Sequence, residues 1–438
     1  MRSGKRRFWI DNRHSRMPAA GIWETKGNAM IDTLRRDATR IIHDAIEAVM
    51  PDQAVVQALE GRRFPGRVYL VSVGKAAWQM AHAAAECLSG PIEQGIVLTK
   101  YGHVKGALPN IACFEAGHPV PDENTLTGTK ALLDMTRQLA PQDTVIFLLS
   151  GGGSALFEQP RTTLAEIQSV TKQLLASGAD IVEMNTIRKR LSLVKGGQFA
   201  LRCAPARVEA IVLSDVLGDP LDMIASGPAA PDASTSEQAQ KIAEKYHLEM
   251  SDEARVCLSL ETPKQLSNVH SQIIGSVGLL CKAAESACGR LGYKPVFLTD
   301  RLTCEAREAG RFLAAIAQSH AGEGKRLAFI AGGETVVHVT GKGLGGRNQE
   351  IALAAAPGLD GLNAAVFSVG SDGTDGPTDA AGGYADGDTL GALRKAGVDF
   401  QAALDDNDAY HALKAVDGLI LTGPTGTNVN DLSLVLIG

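Results

Sequence analysis

From residue 67 onward the chain repeats one local pattern: a short apolar run rich in β-branched residues, a glycine or polar loop, then a segment of helical period. That alternation marks α/β architecture, because a strand buried on both faces reads as a continuous apolar run and the helix after it covers one face. Strands are expected at 67–73, 95–99, 143–149, 208–214, 294–299, 326–331, 335–340, 365–370 and 418–422. Helices are expected at 77–88, 123–139, 163–177, 278–291, 304–319, 348–356 and 386–396, after a first amphipathic helix at 31–50. The polar stretch 228–236 breaks the alternation, which restarts near Ile273, so one domain is expected at 31–265 and a second at 266–438. No repeat of 20–50 residues is visible, which argues against a solenoid.

Charge and cysteine usage narrow the function classes. A net charge of −6 offers no broad basic field for nucleic acid or a membrane surface, and small anionic ligands remain open. The seven cysteines form no C-x-x-C pair and are odd in number, which points to a reducing, cytoplasmic setting rather than a disulfide framework or zinc ribbon. No apolar run approaches the ~18 residues of a membrane span. Residues 1–30 are basic and aperiodic, lack the apolar core of a secretory signal, and read as a disordered extension, with Met30 a plausible start. Glycine is the compositional outlier: 47 of 438 residues is about 11%, against a background of roughly 7%.

In open α/β sheets ligands bind beyond the carboxyl ends of the strands. The residues expected there are Gly74-Lys75, the run Ser150, Gly151, Gly152, Gly153 and Ser154, Asp215 with Asp219 nearby, Gly332-Gly333-Glu334, then Asp372, Asp375 and Asp379, and the run 422–426. Glycine loops let backbone N–H groups approach an anion, although tight βα turns use glycine for its own sake. Lys75 opposes the dipole of the helix it opens, which suits a bound anion better than solvent. Arg347, ahead of a helix, offers a fork for phosphate or carboxylate; the alternative is a surface arginine capped by Glu350. Aspartates beside a phosphate site suit Mg²⁺, and Asp-Gly pairs are also ordinary turn chemistry. The run 341–346 fits G-x-G-x-x-G between a strand and a helix, but no acid follows at the dinucleotide spacing; Asp372 comes 26 residues after the last glycine. No segment reads G-x-x-x-x-G-K-[ST], which excludes a Walker A loop.

Eight runs are long enough to be diagnostic: VGKAA (73–77), GHPVPDE (117–123), LLSGGGSAL (148–156), NTIRKRLSLVKGGQFA (185–200), LSDVLGDPLDMIASGP (213–228), GGETVVHVTGKGLGGRNQE (332–350), SDGTDGPTDAAGG (371–383) and GPTGTNVNDL (423–432). On these the chain resembles the glycerate 2-kinases of the MOFRL-domain type, over about residues 70–435. The resemblance implies a Rossmann-like first domain, a second α/β domain containing the MOFRL region at about 325–435, and an active site in the cleft between them. It implies ATP- and Mg²⁺-dependent phosphorylation of the 2-hydroxyl of D-glycerate. Lys75 and Arg347 would hold substrate and phosphates, and Asp215 and Asp372 would be acid/base or metal candidates. Ser150, Gly151, Gly152, Gly153 and Ser154, with Lys195, Gly196 and Gly197, would cradle the nucleotide, and Asp219 or Asp375 would complete a metal site.

The sequence departs from the family pattern at Arg190, where histidine is common, and at Val277, where asparagine is. The expected partner is a small-molecule substrate, with neither nucleic acid nor membrane, and a homodimer is the assembly entertained. Two other functions stay open. Members of this family are often labelled hydroxypyruvate reductases, and such an enzyme would place NAD(P)H on the 341–346 glycines. A non-catalytic sugar-phosphate binder would use the loops of the first domain alone.

Overall fold

The computed structural model describes residues 29–438; the basic extension lies outside the described residues except for its last two. Two six-stranded sheets organise the molecule. The first contains β1 (Val68–Val73), β2 (Ile92–Lys100), β3 (Ile111–Ala116), β4 (Thr144–Leu149), β5 (Arg207–Leu213) and β6 (Val269–Gly275) in the order β3-β2-β1-β4-β5-β6, all parallel. This is the doubly wound order, whose topological switch point lies between β1 and β4. Ser150, just after β4, follows a strand buried throughout, as does Gly74 after β1, so both loops emerge side by side.

The second sheet contains β7 (Lys294–Leu302), β8 (Leu327–Gly333), β9 (Ala364–Gly370), β10 (Gly382–Asp386), β11 (Leu419–Ile420) and β12 (Asp431–Ile437) in the order β11-β10-β9-β12-β8-β7. It is mixed rather than parallel, because the last strand, β12, inserts antiparallel between β8 and β9. The register pairs Asp431 with both Gly333 and Gly370. The beginning of β12 therefore lies beside the carboxyl ends of β8 and β9, and brings a carboxylate to the edge where ligands bind.

Side-chain alternation connects the layers. In β1 and β4, Leu70, Ile146 and Leu148 face one apolar cluster, while Tyr69, Val71, Val73, Val145, Phe147 and Leu149 face another. The first cluster continues without a break into the second sheet through Ile330, Phe367, Val369, Leu432 and Leu434. A large apolar interface of this kind opposes free domain motion and holds the cleft walls in register.

Several expectations need correction. The border at 265/266 would separate β6 from its sheet; sheet membership moves it past Gly275. The helix Ala29–Glu47 packs on the helix Val277–Arg290 and the second sheet, anchored where Tyr293 Oη and Arg326 both donate to Asp37 at 3.0 and 2.7 Å. It therefore belongs in space with the second domain. The expected strand at 335–340 is absent: the chain leaves the sheet at Gly333, Val336 makes one isolated bridge to Glu305, and the amides of Thr340 and Gly341 donate to Asn407 instead. Val277 packs in the core, and Arg190 is buried where it donates to Thr186 and Ser234.

Candidate active site

The site lies where the loops after β1, β4 and β5 meet the rim of the second sheet. Ser150 joins the first two loops: its amide donates to Val73 (2.9 Å) and its Oγ accepts the amide of Ala76 (3.1 Å), while the Lys75 amide donates to the Gly151 carbonyl (2.9 Å). Gly152 turns the chain with φ +88°, a conformation that glycine adopts without Cβ strain. The amides of Gly151, Gly152, Gly153 and Ser154 donate to no protein acceptor among the described residues. Four consecutive free N–H groups in such a turn form an anion-binding concavity. The Lys75 ammonium likewise makes no hydrogen bond or ion pair among the described residues.

Asp215, after β5, lies against this loop so closely that a Cβ on Gly151 would overlap its Oδ2. Burial pushes the Asp215 carboxyl above the ordinary range, and the charge of Lys75 pulls it partly back. His118, from the loop after β3, lies near Gly152 and Lys75; burial and the neighbouring cations Lys75 and Lys100 hold its pKa down. Its neutral form is thereby favoured.

Asp215 also lines a polar cavity of 130 Å³ with Glu334, Arg347, Asp372, Asn430 and Asp431. Both domains thus contribute to one cleft. Arg347 opens the helix Arg347–Leu359 and donates through Nε and Nη2 to Asp431, the latter at 3.1 Å, while its Nη1 lies 3.3 Å from Glu334. Asp431 holds one edge of the guanidinium, and the half-exposed Glu334 occupies the other. Asp372 accepts the Thr374 amide through Oδ1 (3.0 Å), and its Oδ2 has no hydrogen bond among the described residues.

The structure therefore joins Lys75, Ser150, Gly151, Gly152, Gly153, Ser154, Asp215, Asp372 and Arg347, and places the other candidates in different surroundings. Lys195 is buried, with its ammonium donating to the carbonyls of Ser154 and Phe157 at 2.8 Å each and lying 3.3 Å from Glu158. The amides of Gly196 and Gly197 donate to Ser226 and Gly227. With these donors engaged inside the fold, the segment braces the glycine loop. Asp375 is engaged within the fold: it accepts from the amides of Asn348 (3.2 Å) and Gln349 (2.9 Å) and from both their side chains, capping the helix that carries Arg347. Gly346 permits that approach, since a Cβ there would overlap the Asp375 carboxylate. Asp219 lines a different cavity, with Ser276 and Asp300. Asp379 accepts from Tyr410 Oη (2.8 Å).

The dinucleotide reading of 341–346 also fails. The amides of Gly341, Lys342 and Leu344 donate to the side chains of Asn407, Asp406 and Asp408 at 2.8, 2.9 and 3.0 Å, and that of Gly343 to the Asp406 carbonyl at 2.8 Å. A run closed by two carboxylates repels a pyrophosphate. Sequence reasoning placed Glu334 at a strand end without a role, and missed His118, Asn430 and Asp431. Asn430 precedes a strand and Asp431 opens it, where ligand residues are sought after strands, and His118 stands in a run whose partners are distant in sequence.

Comparison with known proteins bears on this cleft. Residues 37–259 match the family described as "Domain of unknown function (DUF4147)", and residues 327–431 match the MOFRL family. A D-glycerate 2-kinase of Thermotoga maritima is 53% identical over 413 residues, covering 93% of this chain and 99% of that one. The chain belongs to the MOFRL-type glycerate 2-kinase family. A crystal structure of a glycerate kinase from Thermotoga maritima superposes on 93% of this chain and 100% of its own with a TM-score of 0.90 at 53% identity. A family member from Pyrococcus horikoshii called a glycerate 2-kinase is 40% identical over 92% of this chain and 97% of its own. Another from Agrobacterium vitis, 41% identical over 85% of this chain and all of its own, carries the hydroxypyruvate reductase name. All seven cysteines are free, and among the described residues no helix is long and apolar enough to cross a membrane.

Proposed function

We propose that the chain phosphorylates D-glycerate at its 2-hydroxyl with ATP, giving 2-phosphoglycerate and ADP. The observation that carries the reading is one cleft that combines free loop amides, an unpaired lysine, a buried carboxylate of raised pKa and an arginine fork. The 130 Å³ cavity has room for roughly four waters, which suits a three-carbon acid. The substrate carboxylate takes the edge of Arg347 that Glu334 now occupies, and Asn430 accepts or donates to a hydroxyl.

Asp215 receives the proton of the 2-hydroxyl as its oxygen bonds to the γ-phosphorus and the bond from that phosphorus to the β–γ bridging oxygen breaks. Lys75 and the amides of Gly151, Gly152, Gly153 and Ser154 hold the phosphates and offset the charge that spreads over the transferring group. Asp372 is the residue that would hold Mg²⁺. Its second carboxylate oxygen is free, and no three metal-ligating side chains converge at the cleft among the described residues. That pattern fits a cation completed by phosphates and water, which would neutralise phosphate charge when bound. The free thiols support a cytoplasmic setting.

The test has two arms. With D-glycerate, ATP and Mg²⁺ the reading requires ADP release; with hydroxypyruvate and NADH it requires no NADH loss. The opposite pair of results would replace the kinase with a reductase.

A further inference from the structure

We propose that His118 is a further residue of the transfer site, whose Nε2 donates to the donor's phosphates where they lie on the glycine loop. The proposal rests on the kinase reading and adds a second basic group to the phosphate side of the cleft. A Cβ on Gly152 would meet His118 Cδ2 at 3.1 Å, His118 Nε2 at 3.2 Å and Lys75 Cγ at 3.2 Å. The imidazole edge and the lysine stem therefore cover the same face of Gly152, which stands within the run of free amides.

The groups around the ring are engaged elsewhere, and the ring is not. His103 Nδ1 lies 2.8 Å from the Lys75 carbonyl, and Thr99 Oγ1 donates to the Gly74 carbonyl at 2.8 Å, so these two hold the loop after β1. Asp122, the acid in the run 117–122 that carries His118, caps the helix Glu123–Met135 by accepting the Thr125 amide (3.0 Å), and it also accepts from Tyr101 Oη (2.7 Å). That cap fixes the end of the run and keeps its carboxylate from the imidazole. Neither ring nitrogen of His118 has a hydrogen bond among the described residues. A neutral imidazole in this state keeps one N–H and one lone pair for a ligand.

Binding of phosphates changes the charge that the ring sees. In the free protein, burial and the cations Lys75 and Lys100 disfavour the imidazolium, and His103 is the other titratable group that faces it. Asp215 lies against the neighbouring Gly151, on the same loop. A polyphosphate on the loop amides brings several negative charges close to the ring, and opposite charge at that range raises a histidine pKa by about 1–3. The imidazole then takes a proton from solvent. Its hydrogen bond becomes charge-assisted, and together with Lys75 it offsets the charge that spreads over the transferring group.

NMR of protein carrying isotope-labelled histidine reads the ring directly, and His118→Gln identifies its resonance among the ten histidines. Inorganic tripolyphosphate with Mg²⁺ is the probe, since it supplies phosphates without nucleoside or turnover. The His118 pKa should rise by about 1–3 when the probe binds. His118→Ala should weaken probe binding and raise KM for ATP by about tenfold or more, the loss of one hydrogen bond to a charged group, with KM for D-glycerate moving less than about twofold. His118→Gln keeps an N–H donor but no charge. It should recover about threefold of that loss, and calorimetry in buffers of different ionisation enthalpy should show less proton uptake than in the parent, a difference that separates His118 from Asp215. If the alanine variant does not fold, the parent's pKa and the glutamine variant decide. An unchanged His118 pKa in the bound protein, parent-like probe binding in the variants, or a parent that does not bind tripolyphosphate would each overturn the proposal. A pKa rise with weakened probe binding in the variants, but no glycerate phosphorylation by the parent, would sink the kinase reading and keep His118 as a phosphate ligand.

Discussion

Replacing Asp375 by alanine separates a helix cap from a metal ligand. The carboxylate satisfies two backbone amides and two side-chain amides of buried residues. Losing an N-terminal cap costs about 1 kcal/mol, and leaving buried amides unpaired adds about 1–3 kcal/mol. Part of this is offset at neutral pH, because burial pushes the Asp375 carboxyl up to about 6, so its ionised form is itself disfavoured. The folded pKa lies above the ordinary aspartate value, so the folded state holds the proton more tightly. The residue's contribution is greatest at acid pH and declines as pH rises through about 6.

Asp375→Ala should therefore lower the thermal midpoint of the second domain by about 6–12 °C at pH 5, for a loss of about 3 kcal/mol. The difference from the parent should shrink by about 1–2 kcal/mol by pH 8. Scanning calorimetry at the two pH values reads both, alongside the Mg²⁺ concentration for half-maximal activity, which should move less than about twofold. A variant that melts like the parent at both pH values, yet needs tenfold more Mg²⁺, would refute the capping argument and restore the metal assignment.

Three further outcomes are expected. Lys75→Ala and Arg347→Ala should each lose on the order of 10²–10³ in kcat with unchanged circular dichroism, the scale of one removed charge-stabilising contact; near-full turnover in both would contradict their placement. Gly151→Ala should displace Asp215 and cut kcat by about 10², because a misplacement near 1 Å has that effect, with KM for glycerate moving less. The acid limb of kcat/KM should lie above the ordinary carboxylate range, since the base must be ionised and burial raises its pKa. Lys75→Met should move that limb higher still by removing the cation that pulls it down, and a limb at ordinary aspartate pH would exclude Asp215 as the base.

The first sheet was legible because its central strands β1 and β4 are nearly continuous apolar runs followed by glycine loops. The second was only partly so. β10 begins with two glycines set by packing, where a Cβ on Gly383 would meet Ala352 and Leu413, so it does not read as a strand. β12 reverses direction, which no local pattern encodes, and with it the role of Asp431 is hidden. The alternating run after Gly333 does read as a strand, but Asn407, Asp406 and Asp408 capture its continuation from 60 or more residues away.

The excess of glycine has more than one cause for the same reason. Residues 151–153 carry free amides at the cleft, whereas Gly346 makes room for Asp375 and Gly383 for a packed helix. Lysine was ambiguous in the same way: Lys75 and Lys195 both stand beside glycine, but only burial distinguishes the free ammonium from the one consumed by carbonyls.

Phosphoryl transfer to the 2-hydroxyl of glycerate in the two-domain cleft fixes where the product carries its phosphate. Phosphorus NMR of a reaction containing D-glycerate, ATP and Mg²⁺ should show one new monoester, with its coupling to a single proton marking attachment at carbon 2, formed in step with ADP. A resonance coupled to two protons would place the phosphate on carbon 3, and no new monoester would deny the transfer altogether; either would contradict the account.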